Sequence, residues 1–392
     1  MTKSFHVGLL CVLFAPSFAP GVMASSPDAA DPTPRAEVIS AEEETATLAA
    51  LKPPKRERPV VAVLGLNEGS ETTDYLVPFG VIKRSGVADV FALAIRPGPV
   101  TLMPALTIVP DATTAQFDQR FPEGADYVIV PAMHVTNDRE VLAWIEKQAA
   151  QGATIVGVCA GAVVLANAGV LHEKRATTHW FRVNDLHKAD PSIRYVPNRR
   201  YVADRGVVTT TGVSASVPIS LAIVAAIGGR ERANSLASDI GAARWSAAHD
   251  NREFRLSAGV ILLYTTNLLA FWRHETVGIP VSAGVDEIAL ALTSNAYAST
   301  QRARVQALAT SMEPVVMHQG LRLLPDGTMD DAHVALMLQP LTANTPAQAL
   351  DRALADIDAR YGSWTARGVR LELEYPEVDV QPVPHIAGSF PR

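Results

Sequence analysis

Ile155-Val156-Gly157-Val158-Cys159-Ala160-Gly161-Ala162 reads as a short buried strand that ends at a cysteine and passes at once into a helix. A strand-to-helix turn this abrupt has the geometry of a nucleophile elbow, which lifts one side chain clear of the sheet. Gly157, Ala160 and Gly161 are small enough for the close backbone approach that such a turn requires. The start of the helix favours negative charge, so the spacing predicts a thiol pKa lowered toward thiolate. The competing reading is a buried, inert cysteine at a helix start.

Outward from the elbow, apolar runs and amphipathic stretches alternate. Strands are predicted at Val60–Leu66, Asp89–Ile95, Tyr127–Pro131, Thr154–Val158 and Val207–Thr211. Helices are predicted at Thr72–Arg84, Asp138–Ala150, Ala160–Ala168 and Ser214–Ile227. Continuous apolar strands separated by helices specify a doubly wound α/β sheet with mostly parallel strands, buried on both faces.

The chain has 392 residues, 48% of them hydrophobic, which is ample for a core of more than one domain. Lys and Arg number 34 against 40 Asp and Glu, a balance that argues against a nucleic-acid protein held by phosphate contacts. Two cysteines exclude a disulfide scaffold and a Cys-rich zinc site. The histidines are scattered, so neither a metal nor a cofactor is expected. Residues 1–24 resemble a signal peptide: Lys3 precedes the apolar Val7–Phe14, and Val22-Met23-Ala24 suits cleavage before Ser25. Cleavage would send the protein to the periplasm or outside the cell and leave Cys159 as the single thiol; an uncleaved N-terminal membrane anchor is the alternative.

Residues 25–58 are Pro-, Ala- and Glu-rich and are expected to form a disordered tether, with at most a short helix at Ala41–Leu51. A first domain is expected over 59–250 and an apolar connecting helix over 251–274, whose uncharged Leu256–Trp272 suits burial between domains better than a membrane span. Residues 275–380 carry a partial repeat. Pro99-Val100, Leu106, Pro110-Asp111 and Thr113 recur as Pro314-Val315, Leu321, Pro325-Asp326 and Thr328, each 215 residues on. Asp74 with its helix has a counterpart near Asp286. The second copy contains no cysteine and is expected to be a smaller, degenerate α/β unit, followed by a tail over 381–392.

Four segments, in order, resemble the ThiJ/PfpI superfamily, with its class I glutamine amidotransferase-like fold. They are Gly69-Ser70-Glu71-Thr72-Thr73-Asp74-Tyr75-Leu76-Val77-Pro78, the Cys159 elbow, Ala176-Thr177-Thr178-His179-Trp180, and Thr211-Gly212-Val213-Ser214-Ala215 with Leu221-Ala222-Ile223-Val224. The superfamily includes the parkinsonism-associated deglycase, isonitrile hydratase-like enzymes and the sensor domains of AraC-type regulators. The resemblance implies Cys159 as nucleophile, Asp74 as the acid beside it and His179 as proton carrier. Ala160 and Gly161 would supply backbone N–H groups to an oxyanion, with Glu71, His134 and Trp180 as pocket candidates.

Three departures narrow the activity. Ala132-Met133-His134 stands where the family commonly has Gly-Gly, Ala160 replaces the histidine of protease-like members, and no His-x-Glu pair of amidotransferases occurs. The expected function is a cysteine-dependent hydratase, hydrolase or glyoxalase/deglycase-type enzyme acting on a small electrophile. The alternative is a non-catalytic ligand-sensing or scaffold module without a DNA-binding domain. The expected partners are a small molecule and, as in many relatives, a second copy in a homodimer, with no nucleic acid and no stable membrane span after leader cleavage.

Overall fold

The computed structural model describes residues 39–51, 55–242, 245–341 and 344–376. The expected leader and the 381–392 tail lie outside these residues.

A seven-stranded sheet forms the first half. Its order is Tyr201–Asp204, Val207–Thr210, Thr154–Gly157, Tyr127–Val130, Val60–Gly65, Asp89–Ala94 and Ala112–Thr113. All neighbours pair parallel except the first two, which form an antiparallel hairpin at one edge. Val60–Gly65, Tyr127–Val130 and Thr154–Gly157 are buried along their whole length, as continuous apolar runs between helical layers must be. The doubly wound sheet predicted from the alternation is therefore present. The edge hairpin was not expected, although Asp204-Arg205-Gly206 carries the turn chemistry for it: Arg205 and Gly206 both have positive φ, 46° and 78°.

The second half repeats the innermost part of this plan. A parallel four-stranded sheet has the order Gly327–Thr328, Ala303–Ala309, Glu275–Pro280, Leu336–Met337. This is the order of Ala112–Thr113, Asp89–Ala94, Val60–Gly65 and Tyr127–Val130 in the first. Details recur at the same offset. Asp111 Oδ2 accepts from Ala92 N at 2.9 Å and Asp326 Oδ2 from Ala307 N at 2.8 Å. Leu102 N donates to Leu106 O at 2.9 Å and Met317 N to Leu321 O at 2.8 Å.

The two halves join through equivalent surfaces. Thr107–Val109 pairs antiparallel with Arg322–Leu324, and Ile108 lies opposite Leu323, its own counterpart 215 residues on. An antiparallel ladder centred on equivalent residues lies on a pseudo-two-fold axis. The helices Thr72–Ser85 and Glu287–Ala298 pack beside it, and a Cβ on Gly80 would fall 2.8 Å from Glu287 Cγ. One equivalence differs from the sequence reading. Asp286 caps its helix just as Glu71 caps Thr72–Ser85, so Glu71, not Asp74, is the counterpart of Asp286.

Two further expectations are corrected. Folded structure begins before Pro59: Ala41–Ala50 is a helix, Leu51 is fully buried, Glu43 pairs with Arg199 at 2.9 Å, and Arg56 pairs with Asp126 at 2.5 Å. The run before Pro59 looked coreless because Ile39, Leu48 and Leu51 pack against a distant part of the chain. The apolar connecting segment is the helix Ala258–Leu269, and it has no buried residue; Leu262, Leu269, Phe271 and Trp272 are mostly exposed. No helix among the described residues is long and apolar enough to cross a membrane.

Candidate active site

Cys159 stands two residues after the strand Thr154–Gly157 and two before the helix Gly161–Asn167. Its φ is 56°, a left-handed conformation that non-glycine residues adopt at a cost of order 1–3 kcal/mol and that survives only when its surroundings impose it. Those surroundings are explicit. Cys159 N donates to Thr210 Oγ1 at 3.0 Å, and Cys159 O accepts from Thr178 Oγ1 at 3.1 Å. A Cβ on Gly161 would fall 2.1 Å from Val130 O, so the helix meets the neighbouring strand at a distance only glycine allows.

The carboxyl groups face the elbow from the start of the helix Thr72–Ser85. Asp74 is fully buried, accepting from Ala132 N at 3.2 Å and from Ser216 Oγ at 3.3 Å. Burial pushes its pKa up to about 7. Glu71 accepts from Asp74 N at 2.5 Å and from Thr73 Oγ1 at 2.8 Å, and Asn295 of the second half donates to it as well. Burial, and then the nearby Asp74 charge, raise Glu71 well above the carboxylate range. The two side chains are hydrogen-bonded to each other. They form an acid pair, Asp74 fully buried and Glu71 half-buried, that holds a proton near neutral pH.

The thiol does not behave as the helix start alone predicted. Burial raises the Cys159 pKa, and the charges of Asp74, Glu71 and Glu374 raise it further. The backbone N–H of Ala160 opposes this, too weakly to reverse it. A seven-residue helix beside three carboxyl groups loses the electrostatic contest, so Cys159 rests as a thiol. Gly161 is also corrected as an oxyanion donor, since its N–H donates to Val158 O at 2.8 Å within the turn. Ala160 keeps its N–H at the sulfur.

His179 is half-buried and, by desolvation, held below the usual histidine pKa. Its ring is engaged on both nitrogens: Nε2 bonds Glu372 O at 2.9 Å, and Nδ1 accepts from Phe181 N at 3.3 Å. A carbonyl on one side and an N–H on the other assign the neutral tautomer with the proton on Nε2. Trp180 lies beside it and binds the same C-terminal segment, with Nε1 donating to Leu371 O at 3.0 Å. His134 is exposed, tied only by its backbone N–H to Gly69 O at 2.9 Å, and is not brought to the elbow.

The structure adds residues that the motifs did not name. Thr210 and Ser216 directly flank the segment Thr211–Ala215 already singled out, so their roles were within reach of the strand–turn–helix pattern. Glu374 and its partner His249, at 3.1 Å, had no such signal. Neither belongs to a motif, and only the folded path of the chain brings them to the site.

A model of the DJ-1/PfpI family matches residues 60–226. Isonitrile hydratase from Pseudomonas putida is 42% identical over 60 residues, which are 15% of this chain and 25% of the relative. The chain thus spans about a quarter of the length of this curated relative. Among solved structures, oxidized DJ-1 from Toxoplasma gondii is 18% identical, with a TM-score of 0.42 over 47% of this chain and 100% of that one. A ThiJ/PfpI family protein from Pseudomonas syringae is 27% identical, with a TM-score of 0.41 over 46% and 74%. Residues 60–226, which hold the elbow, the acid pair and the Thr-Thr-His segment, are thus similar to the DJ-1/PfpI family.

Proposed function

We propose that this protein is a cysteine-dependent enzyme that adds water to a small electrophilic carbon, as in a carbonyl, nitrile or isonitrile. The observation that carries the reading is the strained Cys159 at φ 56° beside an acid, Asp74, raised to about 7. A thiol at rest needs a base beside it, and an acid that titrates near neutrality supplies one when ionised.

Ionised Asp74 takes the thiol proton as sulfur attacks, and the new S–C bond forms while a π pair moves to the heteroatom. Asp74 returns its proton to that adduct. Water then adds to the same carbon, the C–S bond breaks, and the sulfur recovers a proton, so the net change is one water gained by the substrate. Glu71 keeps its own proton and holds Asp74 in place through the 2.5 Å bond to the Asp74 N–H. Turnover on a panel of small aldehydes, nitriles and isonitriles tests this. Cys159→Ser should lose at least about a hundredfold in kcat/KM, in line with removal of a covalent nucleophile; full activity in that variant ends the proposal.

The second reading, a ligand-sensing module, is supported by the C-terminal segment at the mouth of the site. A module of that kind would bind a small molecule with Cys159 inert to alkylation in every state. Export belongs to the same proposal and rests on residues 1–24. Protein recovered from the periplasm should begin at Ser25, and an intact Met1 there would count against cleavage.

A further inference from the structure

The last helix, Ser363–Glu372, belongs to the second half, but the chain beyond it crosses into the elbow site of the first. Four successive carbonyls of this segment are captured there. Trp180 Nε1 donates to Leu371 O at 3.0 Å, His179 Nε2 to Glu372 O at 2.9 Å, Ser214 N to Leu373 O at 3.1 Å, and Ser214 Oγ to Glu374 O at 2.6 Å. The fully buried Glu374 side chain then enters a cradle of donors. Its carboxylate accepts from Gly212 N at 2.7 Å and Trp180 N at 3.3 Å, and lies 3.1 Å from His249 Nε2.

The cradle is fitted to this group. A Cβ on Gly212 would fall 2.6 Å from Glu374 Cβ and 2.8 Å from His179 Cδ2. His249 is itself fixed by stacking on Phe254, with ring centroids 5.5 Å apart and planes 6° from parallel. Arg200 feels the same carboxylate, and its Nε is buried without a hydrogen-bond partner. Glu374 also sits where helix ends call for glycine. Its N–H bonds Leu371 O at 3.2 Å and that of Tyr375 bonds Arg370 O at 2.8 Å, a Schellman pair with φ 52° at Glu374. A side chain there costs about 1 kcal/mol relative to glycine. The ending of the helix therefore does not explain a glutamate; the donors that receive its carboxylate do.

We infer that the Gly212 and Trp180 N–H groups with His249 form a carboxylate subsite beside Cys159, filled by Glu374 in the closed protein and by the acid group of a short-chain carboxylate substrate once the C-terminal segment withdraws. The substrate assignment rests on Cys159 being the nucleophile; the subsite itself does not.

The test uses the full chain with Glu374→Gly, which empties the cradle while relaxing the backbone at φ 52°. Cys159 is alkylated with iodoacetate, which carries a carboxylate, and with neutral iodoacetamide. The variant should favour iodoacetate over iodoacetamide by at least about tenfold more than wild type does, the worth of one charge-assisted hydrogen-bond set. Added acetate should raise the Tm of the variant beyond the effect of equal sodium chloride, and leave wild type unchanged. Equal gains for both reagents with no acetate-specific shift overturn the subsite. An acetate-specific shift without iodoacetate selectivity keeps the subsite and removes Cys159 from the substrate assignment. Should the variant not fold, wild type supplies the answer: acetate, but not chloride, should speed tryptic cleavage after Arg370, and no acceleration would overturn the subsite.

Discussion

The two halves share four strands in the same order, one pairing helix and one antiparallel ladder, yet only the first continues past its fourth strand. Beyond Tyr127–Val130 the first half adds the elbow strand Thr154–Gly157 and the hairpin of Val207–Thr210 with Tyr201–Asp204. Beyond Leu336–Met337 the second adds no strand among the described residues. Its chain turns into the helices Ala349–Tyr361 and Ser363–Glu372, then delivers Glu374 to the first half. The part kept twice makes the interface, and the part present once makes the site. The shorter copy thus braces the first half through the interface and also sends Glu374 to its elbow site.

The interface is also unequal in how each helix cap is held. Asp286 is fully buried and pairs across the pseudo-axis with Arg84, whereas Glu71 is met by the neutral Asn295. Removing one member of a buried ion pair leaves an uncompensated charge and costs roughly 3–5 kcal/mol. Arg84→Met should therefore lower unfolding free energy by about that amount in urea titration. A neutral result would break the comparison, by showing that the halves do not rely on this cross-axis pair.

The sequence made the first half legible through its buried strands, which need only continuous apolar runs bounded by helices. The elbow, too, was visible, because glycines at 157 and 161 announce backbone approach before any contact is known. Legibility failed where a segment's meaning depends on a remote partner. Residues 25–58 looked like a tether because no core is available locally around Ala41–Leu51, although Leu51 is fully buried against the distant core. Leu256–Trp272 looked buried because hydropathy does not say which surface a helix finds. Cys159 looked activated because the helix start is local, whereas Glu374, one of the charges that raise its pKa, arrives from the far end of the chain.

A smaller effect sharpens the contrast between the caps. Asn295→Ala leaves the half-buried Glu71 with one donor fewer but with its bonds from the Asp74 N–H and the Thr73 hydroxyl intact. The loss should be about 0.5–1.5 kcal/mol, the usual net worth of one hydrogen bond. Losses of equal size for Arg84→Met and Asn295→Ala would mean that the ionic and neutral caps are energetically equivalent, which the burial of Asp286 opposes.

The gentlest probe is pH, because each half buries one carboxyl near its pairing helix that is raised to about 7: Asp74 in the first and Glu287 in the second. Desolvation is the leading cause for both. A carboxyl whose folded pKa lies above its unfolded value contributes stability that is fully present below the unfolded pKa and lost as pH rises through the folded one. Between about pH 5 and 7 the folded protein holds a proton on Asp74 that the unfolded chain has released, so this residue makes stability fall with rising pH. His179 acts in the opposite sense over part of this range, since its folded pKa is lowered, but that contribution cancels when wild type and variant are compared. Asp74→Asn should therefore gain on wild type as pH rises, by at most about 1.4 kcal/mol per pH unit. Glu287→Gln should show the same sign with a shallower slope, because Arg84 lies close enough to favour its charged form and Gln319 N donates to it at 3.1 Å. Matching slopes would show that Arg84 and Gln319 do little for Glu287; a steeper slope for Asp74 shows that the carboxyl at the elbow lacks such a counter-charge.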